Sequence, residues 1–116
     1  MVSARQVIDL AHLDRYTGGD RAINEEILQL FDMQCGDLIE KLGPLAKEAP
    51  DAKSWRQITH SLKGAARGIG AFSLGDAAAE AEKAESGNES AENALARLRE
   101  DAAAVREFIA NFLKNK

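Results

Sequence analysis

Apolar side chains recur three and four residues apart along two long stretches of this chain, and that periodicity leaves few folds open. Ile23, Ile27, Leu30, Phe31, Leu38 and Leu42 mark the first stretch; Leu95, Leu98, Ala102, Val105, Ile109 and Phe112 mark the second. Such spacing places one face of an α-helix against a core. The strict alternation of a half-buried strand is absent from the sequence. Two shorter helical segments lie between the long ones, set off by Gly43-Pro44, Gly68-Ile69-Gly70 and Ser86-Gly87-Asn88. Proline cannot continue a helix, and glycine is common just past a helix end. Four amphipathic segments with short connections predict an all-α fold: an antiparallel four-helix bundle with a short extra N-terminal helix.

The boundaries follow from capping chemistry. Ser3 and Gln6 have the spacing of a capping box, which predicts a short helix over Ala4 to Leu10. Val7, Ile8, Leu10 and Leu13 are expected to seal one end of the bundle. Asp20, after the turn Thr17-Gly18-Gly19, is expected to cap a long helix ending near Gly43-Pro44. A short helical turn is expected before Pro50. Asp51 is the cap of a helix to Ile69, Ser73 of a segment from Leu74 to near Glu85, and the last helix starts near Glu89 or Ser90 and ends near Leu113.

Composition narrows the function classes. A chain of 116 residues, 45% hydrophobic and 29% charged, is long enough for one domain with a real core and is not disordered. No apolar run approaches the roughly 20 residues of a membrane helix. Net charge of −4 with no basic stripe argues against a nucleic-acid partner. The first residues lack the apolar stretch of a signal peptide, which makes the cytoplasm the expected location. Cys35 stands alone and reads as a small buried side chain, and Trp55 as a packing anchor. Two histidines and one cysteine without a Glu-x-x-His pair give no basis for a metal centre. His12 reads as a half-exposed histidine at a helix end, and Glu80, Glu82 and Glu85 as a solvated face. Gly64, Gly68 and Gly70 lack the spacing of a phosphate-cradling loop.

Chemistry concentrates at His60. On a helix from Asp51 to Ile69, the residues Trp55, Ile58, Leu62, Ala65, Ala66 and Ile69 share one stripe. His60 falls roughly 180° from its middle, at about 100° per residue, and so faces solvent. Lys63, Gly64 and Arg67 follow at i+3, i+4 and i+7 on the same face. A neutral imidazole is a good nucleophile toward phosphorus, and transfer of a phosphoryl group needs mainly positioning and countercharge. Lys63 and Arg67 offer that charge, and Gly64 removes a side chain where a partner must approach, at about 0.5–1 kcal/mol relative to alanine. The two cations are expected to keep the ring neutral.

The run His60-Ser61-Leu62-Lys63-Gly64-Ala65-Ala66, with Ile69-Gly70-Ala71 and Leu74, resembles the signature of histidine-containing phosphotransfer (HPt) domains. The upstream pattern Leu13, Gly18-Gly19-Asp20, Ile27-Leu28 and Phe31 is similar to the front half of that family, so the resemblance spans most of residues 1–116, read as a single domain. Two positions depart from the family pattern: Ala65 replaces a frequent serine, and Ala81-Glu82 replaces a Leu-Glu pair. The resemblance implies a four-helix bundle, with His60 as the phosphorylated residue, Lys63 as the nearby cation and Gly64 as the point of access. It further implies a phosphocarrier, not a self-standing enzyme, in a two-component phosphorelay. The partners would be receiver domains of hybrid histidine kinases and response regulators. Magnesium would belong to the receiver, and no cofactor to this chain. Lys53, Arg56, Gln57, Gly64, Arg67, Gly68 and Ala71 are the candidate docking residues. A monomeric, free-standing shuttle is expected. The competing readings are a helical adaptor without phosphorylation and, further off, a cofactor-binding bundle enzyme.

Overall fold

A computed structural model describes residues 6–48 and 50–115. Those residues hold five helices: α1 (Leu10–Thr17), α2 (Arg21–Ala46), α3 (Ala52–Gly68), α4 (Phe72–Lys83) and α5 (Glu89–Lys114). Aspartate or asparagine caps four of them. Asp9, Asp20, Asp51 and Asn88 each accept a backbone N–H of the first turn, from His12, Ile23, Ser54 and Ser90. Cross-links between helices show that neighbours run antiparallel. Asp32 and Gly43 on α2 meet Arg106 and Arg99 on α5. Trp55 and Arg67 on α3 meet Ala81 and Asp76 on α4. Helices α2 to α5 form the antiparallel bundle, and α1 is the short extra helix, tied to α2 by Asn24 Nδ2 donating to Asp14 Oδ1 at 2.8 Å.

The core is a continuous set of side chains from all four bundle helices, including Leu28, Phe31 and Leu42, Trp55 and Leu62, Leu74 and Ala78, and Leu98 and Ile109. Trp55 is the anchor the sequence suggests: it is buried, and its indole N–H donates to the Ala81 carbonyl at 2.8 Å. Alanines at 77, 78 and 81 give α4 a thin face, so it lies close against its neighbours. Ile8 and Leu13 are buried at one end, with Val7 and Leu10 packed beside them.

Several expected boundaries are corrected. The short N-terminal helix is Leu10–Thr17, not Ala4 to Leu10; Ser3 and Ala4 lie outside the described residues, and Asp9, not Ser3, is the cap. Helix α2 runs through Gly43-Pro44 to Ala46, absorbing the turn expected before Pro50. Pro44 removes only one intrahelical donor there. Gly43 has no Cβ to clash with the proline ring, and Ala46 is anchored in the core. The Ser86 hydroxyl then satisfies the Leu45 carbonyl at 2.7 Å. Helix α4 begins at Phe72 behind Ala71, which has no side-chain cap, so Ser73 lies inside the first turn. Ile23 and Leu30 are exposed, because the buried line of α2 is Leu28, Phe31, Cys35 and Leu42; Leu30 lies well over 100° round from it, at about 100° per residue. Thr59 joins the core unexpectedly, its hydroxyl donating to the Trp55 carbonyl at 2.9 Å.

The α3–α4 turn positions the site. Gly70 has φ +87°, in the left-handed region. Its N–H donates to the Arg67 carbonyl and that of Ala71 to the Ala66 carbonyl, at 3.2 and 2.8 Å, a Schellman closure of α3. The N-terminal segment docks on this turn, with Asp9 N–H donating to the Gly70 carbonyl at 2.9 Å. A Cβ on Gly70 would stand 2.6 Å from the Asp9 carbonyl oxygen, so glycine is required twice over.

Candidate functional site

Helix α3 is amphipathic, and burial of Trp55, Thr59, Leu62 and Ala66 turns His60 outward. The ring is 68% exposed. Its Nδ1 lies 2.9 Å from Glu82 Oε2 on α4, and the other oxygen of that carboxylate accepts from Lys63 Nζ at 2.6 Å. Lys63 and Glu82 are each only 22% exposed, so their charges interact with limited solvent screening. The hydrogen bond from Lys63, seconded by that of His60, holds the Glu82 carboxyl below the usual carboxylate range against the opposing effect of partial burial.

Glu82 therefore corrects two expectations. It is not part of a solvated face with the exposed Glu80 and Glu85, and the charged group bonded to the ring is a carboxylate instead of a cation. The tight turn at Gly70 carries the signal that would have found it. In an antiparallel pair, residues at similar distances before and after the turn face each other, and His60 and Glu82 lie ten and twelve residues from Gly70.

The other candidates fall into four groups. Lys53, Arg56 and Gln57 line one groove with His60 and Glu82, of about 300 Å³. Gly64 and Gly68 are exposed, and a Cβ built on either meets nothing within 4 Å, so neither glycine serves helix packing. Arg67 turns away from the ring: its stem lies over Gly75, where a Cβ would come within 2.8 Å, and its guanidinium pairs with Asp76 at 3.6 Å. Ala71 is fully buried in the α3–α4 turn, offers no surface to a partner, and leaves the docking set. His12 is half-buried and stacks edge-on with Tyr16 and Phe72. Among the described residues no cluster of three histidines, cysteines or carboxylates is placed to hold a metal ion. No described helix is long and apolar enough to cross a membrane.

An outward histidine on one helix of a four-helix bundle, its ring against a carboxylate of the next helix, is the site this chain presents. The family model described as Hpt domain matches residues 26–108, and the chain belongs to that family. The crystal structure of the histidine phosphotransferase ShpA from Caulobacter crescentus is similar at 32% identity, over 93% of this chain and 99% of that one, with a TM-score of 0.54. Comparison with curated protein sequences gives no match. The protein is thus an Hpt histidine phosphotransferase of a phosphorelay, a phosphocarrier outside the catalytic enzyme families, and domains of this kind interact with receiver domains.

Proposed function

We propose that His60 is the phosphorylated residue, and that it takes a phosphoryl group from the aspartyl phosphate of one receiver domain and passes it to another. The observation that carries this reading is the exposed ring whose Nδ1 is held by Glu82. With the proton on Nδ1 facing the carboxylate, the lone pair on Nε2 is free for in-line attack. The bond from phosphorus to the aspartate oxygen breaks as the Nε2–P bond forms. The aspartate leaves as a carboxylate, and the ring keeps its Nδ1 proton against Glu82. Return of the phosphoryl group to a second receiver reverses these changes.

Lys63 fixes the Glu82 carboxylate, and the open surface at Gly64 and Gly68 admits the receiver. Lys53, Arg56, Gln57 and Arg67 border that surface and suit a partner whose reacting aspartate sits in an acidic, magnesium-holding pocket. The partners are the receiver domains of hybrid histidine kinases and of response regulators. The chain acts as a monomeric, single-domain shuttle in the cytoplasm, where such a relay operates; its one continuous core supports the single domain.

Radiolabelled phosphoryl transfer from a charged receiver tests the assignment. Acid-labile, base-stable label on the wild type, lost in His60→Gln with the helical content unchanged, is the expected result. Label that persists in His60→Gln would overturn it.

A further inference from the structure

Lys63 is the cation that spacing alone assigns to the phosphoryl group, yet its ammonium is engaged at 2.6 Å by Glu82. It does not line the groove beside the ring; Lys53, Arg56, Gln57, His60 and Glu82 do. Of these, Arg56 lies one turn before His60, at i−4, where side chains on a helix face each other at about 5–6 Å between Cβ atoms. Arg56 is exposed, and its guanidinium pairs with no carboxylate among the described residues. The groove of about 300 Å³ has room for a phosphoryl group and several waters, at about 30 Å³ per water. Lys53, two turns from His60, stands roughly 10 Å back along the helix.

We propose that Arg56 binds the phosphoryl group of the phosphorylated protein, its planar fork donating to two phosphoryl oxygens in the groove while Lys63 stays on Glu82. The inference rests on His60 being the phosphorylated residue. The two cations then act at different points: Lys63 orients the ring through Glu82, and Arg56 meets the charge that arrives. Releasing Lys63 to the phosphoryl group would strip Glu82 of its stronger partner, whereas Arg56 gives up only solvent.

The first measurement uses the full chain with no receiver present, so docking cannot contribute. Phosphoramidate charges the protein, with the phosphoryl group moving to Nε2 and ammonia leaving. Phosphorus NMR then follows the titration of the phosphorylated ring near neutral pH on wild type, Arg56→Gln, Arg56→Lys, Lys63→Ala and the remote control Arg99→Gln. A cation bound to the phosphoryl oxygens disfavours protonation of the phosphorylated ring, so Arg56→Gln moves the titration midpoint up by about 0.5 unit, a roughly threefold change in proton affinity. Arg56→Lys recovers part of that shift, and Arg99→Gln moves nothing. In exchange with a charged receiver, Arg56→Gln shifts the equilibrium about threefold toward the receiver. An Arg56→Gln midpoint equal to wild type, with Lys63→Ala shifted instead, overturns the proposal while leaving the function of His60 intact. An equal shift in Arg99→Gln overturns it as well. Wild type that takes up no phosphate on His60 removes the underlying reading and this inference together.

Discussion

At His60 a single carboxylate does two jobs: it accepts from the ring and from the Lys63 ammonium. Glu82→Gln keeps the shape but replaces an ionic acceptor with an amide, so the ring loses its fixed tautomer. Receiver-dependent transfer is expected to fall about tenfold, with nitrogen NMR of the ring showing mixed protonation where wild type shows Nδ1–H. The pH dependence has a definite sign. The Glu82 carboxyl is held below its ordinary value in the fold, so its contribution to stability is full above that ordinary value and fades as pH falls through the lowered one. The stability gap between wild type and Glu82→Gln, from urea melts, should shrink on acidification below about pH 4.5. Cys35 behaves oppositely. Burial pushes its thiol up to about 11 from 9.0, so the unfolded chain loses this proton first and stability declines between those values. Cys35→Ala should flatten that alkaline decline, by roughly 3 kcal/mol at most, and native Cys35 should resist thiol reagents at neutral pH.

At the scale of helices, two glycines six residues apart, Gly64 within α3 and Gly70 in the turn after it, carry different burdens. Gly70→Ala forces a left-handed residue with a Cβ against the Asp9 carbonyl, and should cost about 2 kcal/mol or more in thermal or urea unfolding. Gly64→Gln meets open space, so the fold should hold within about 1 kcal/mol while transfer from a receiver drops sharply. An unfolded Gly64→Gln variant would remove the access argument. These helices are also where the sequence speaks most clearly. Asp20, Asp51 and the Gly68-Ile69-Gly70 break are local signals, and α2, α3 and α5 lie close to where those signals put them. Pro44 inside α2 was not legible, because its tolerance depends on Ala46 reaching the core and on Ser86 from a distant turn. The outward face of His60 follows from periodicity alone. Glu82 does not, since its partners are about twenty residues away and only the register of α3 on α4 joins them.

For the molecule as a whole, the cross-links tie opposite ends of the chain. Arg21, in the first turn of α2, donates to the Phe112 and Asn115 carbonyls at 2.6 Å each and lies over the Phe112 ring at 4.0 Å. It thereby satisfies carbonyls at the end of α5 that have no partner within their own helix. With one core shared by α2 to α5, unfolding should be a single transition. Trp55 fluorescence and far-ultraviolet circular dichroism should give coincident melting curves. Sedimentation equilibrium should return one species near 12.5 kDa, and a mass twice that would refute the proposed monomer. The ring, its carboxylate brace, the lysine behind it and the groove residues all fall within one unbroken span from Lys53 to Glu82, folded back on itself at Gly70. In so contiguous a unit the register of one helix on the next is the whole of the site's geometry: slip α3 along α4 by a turn, and ring and carboxylate part company with neither residue altered.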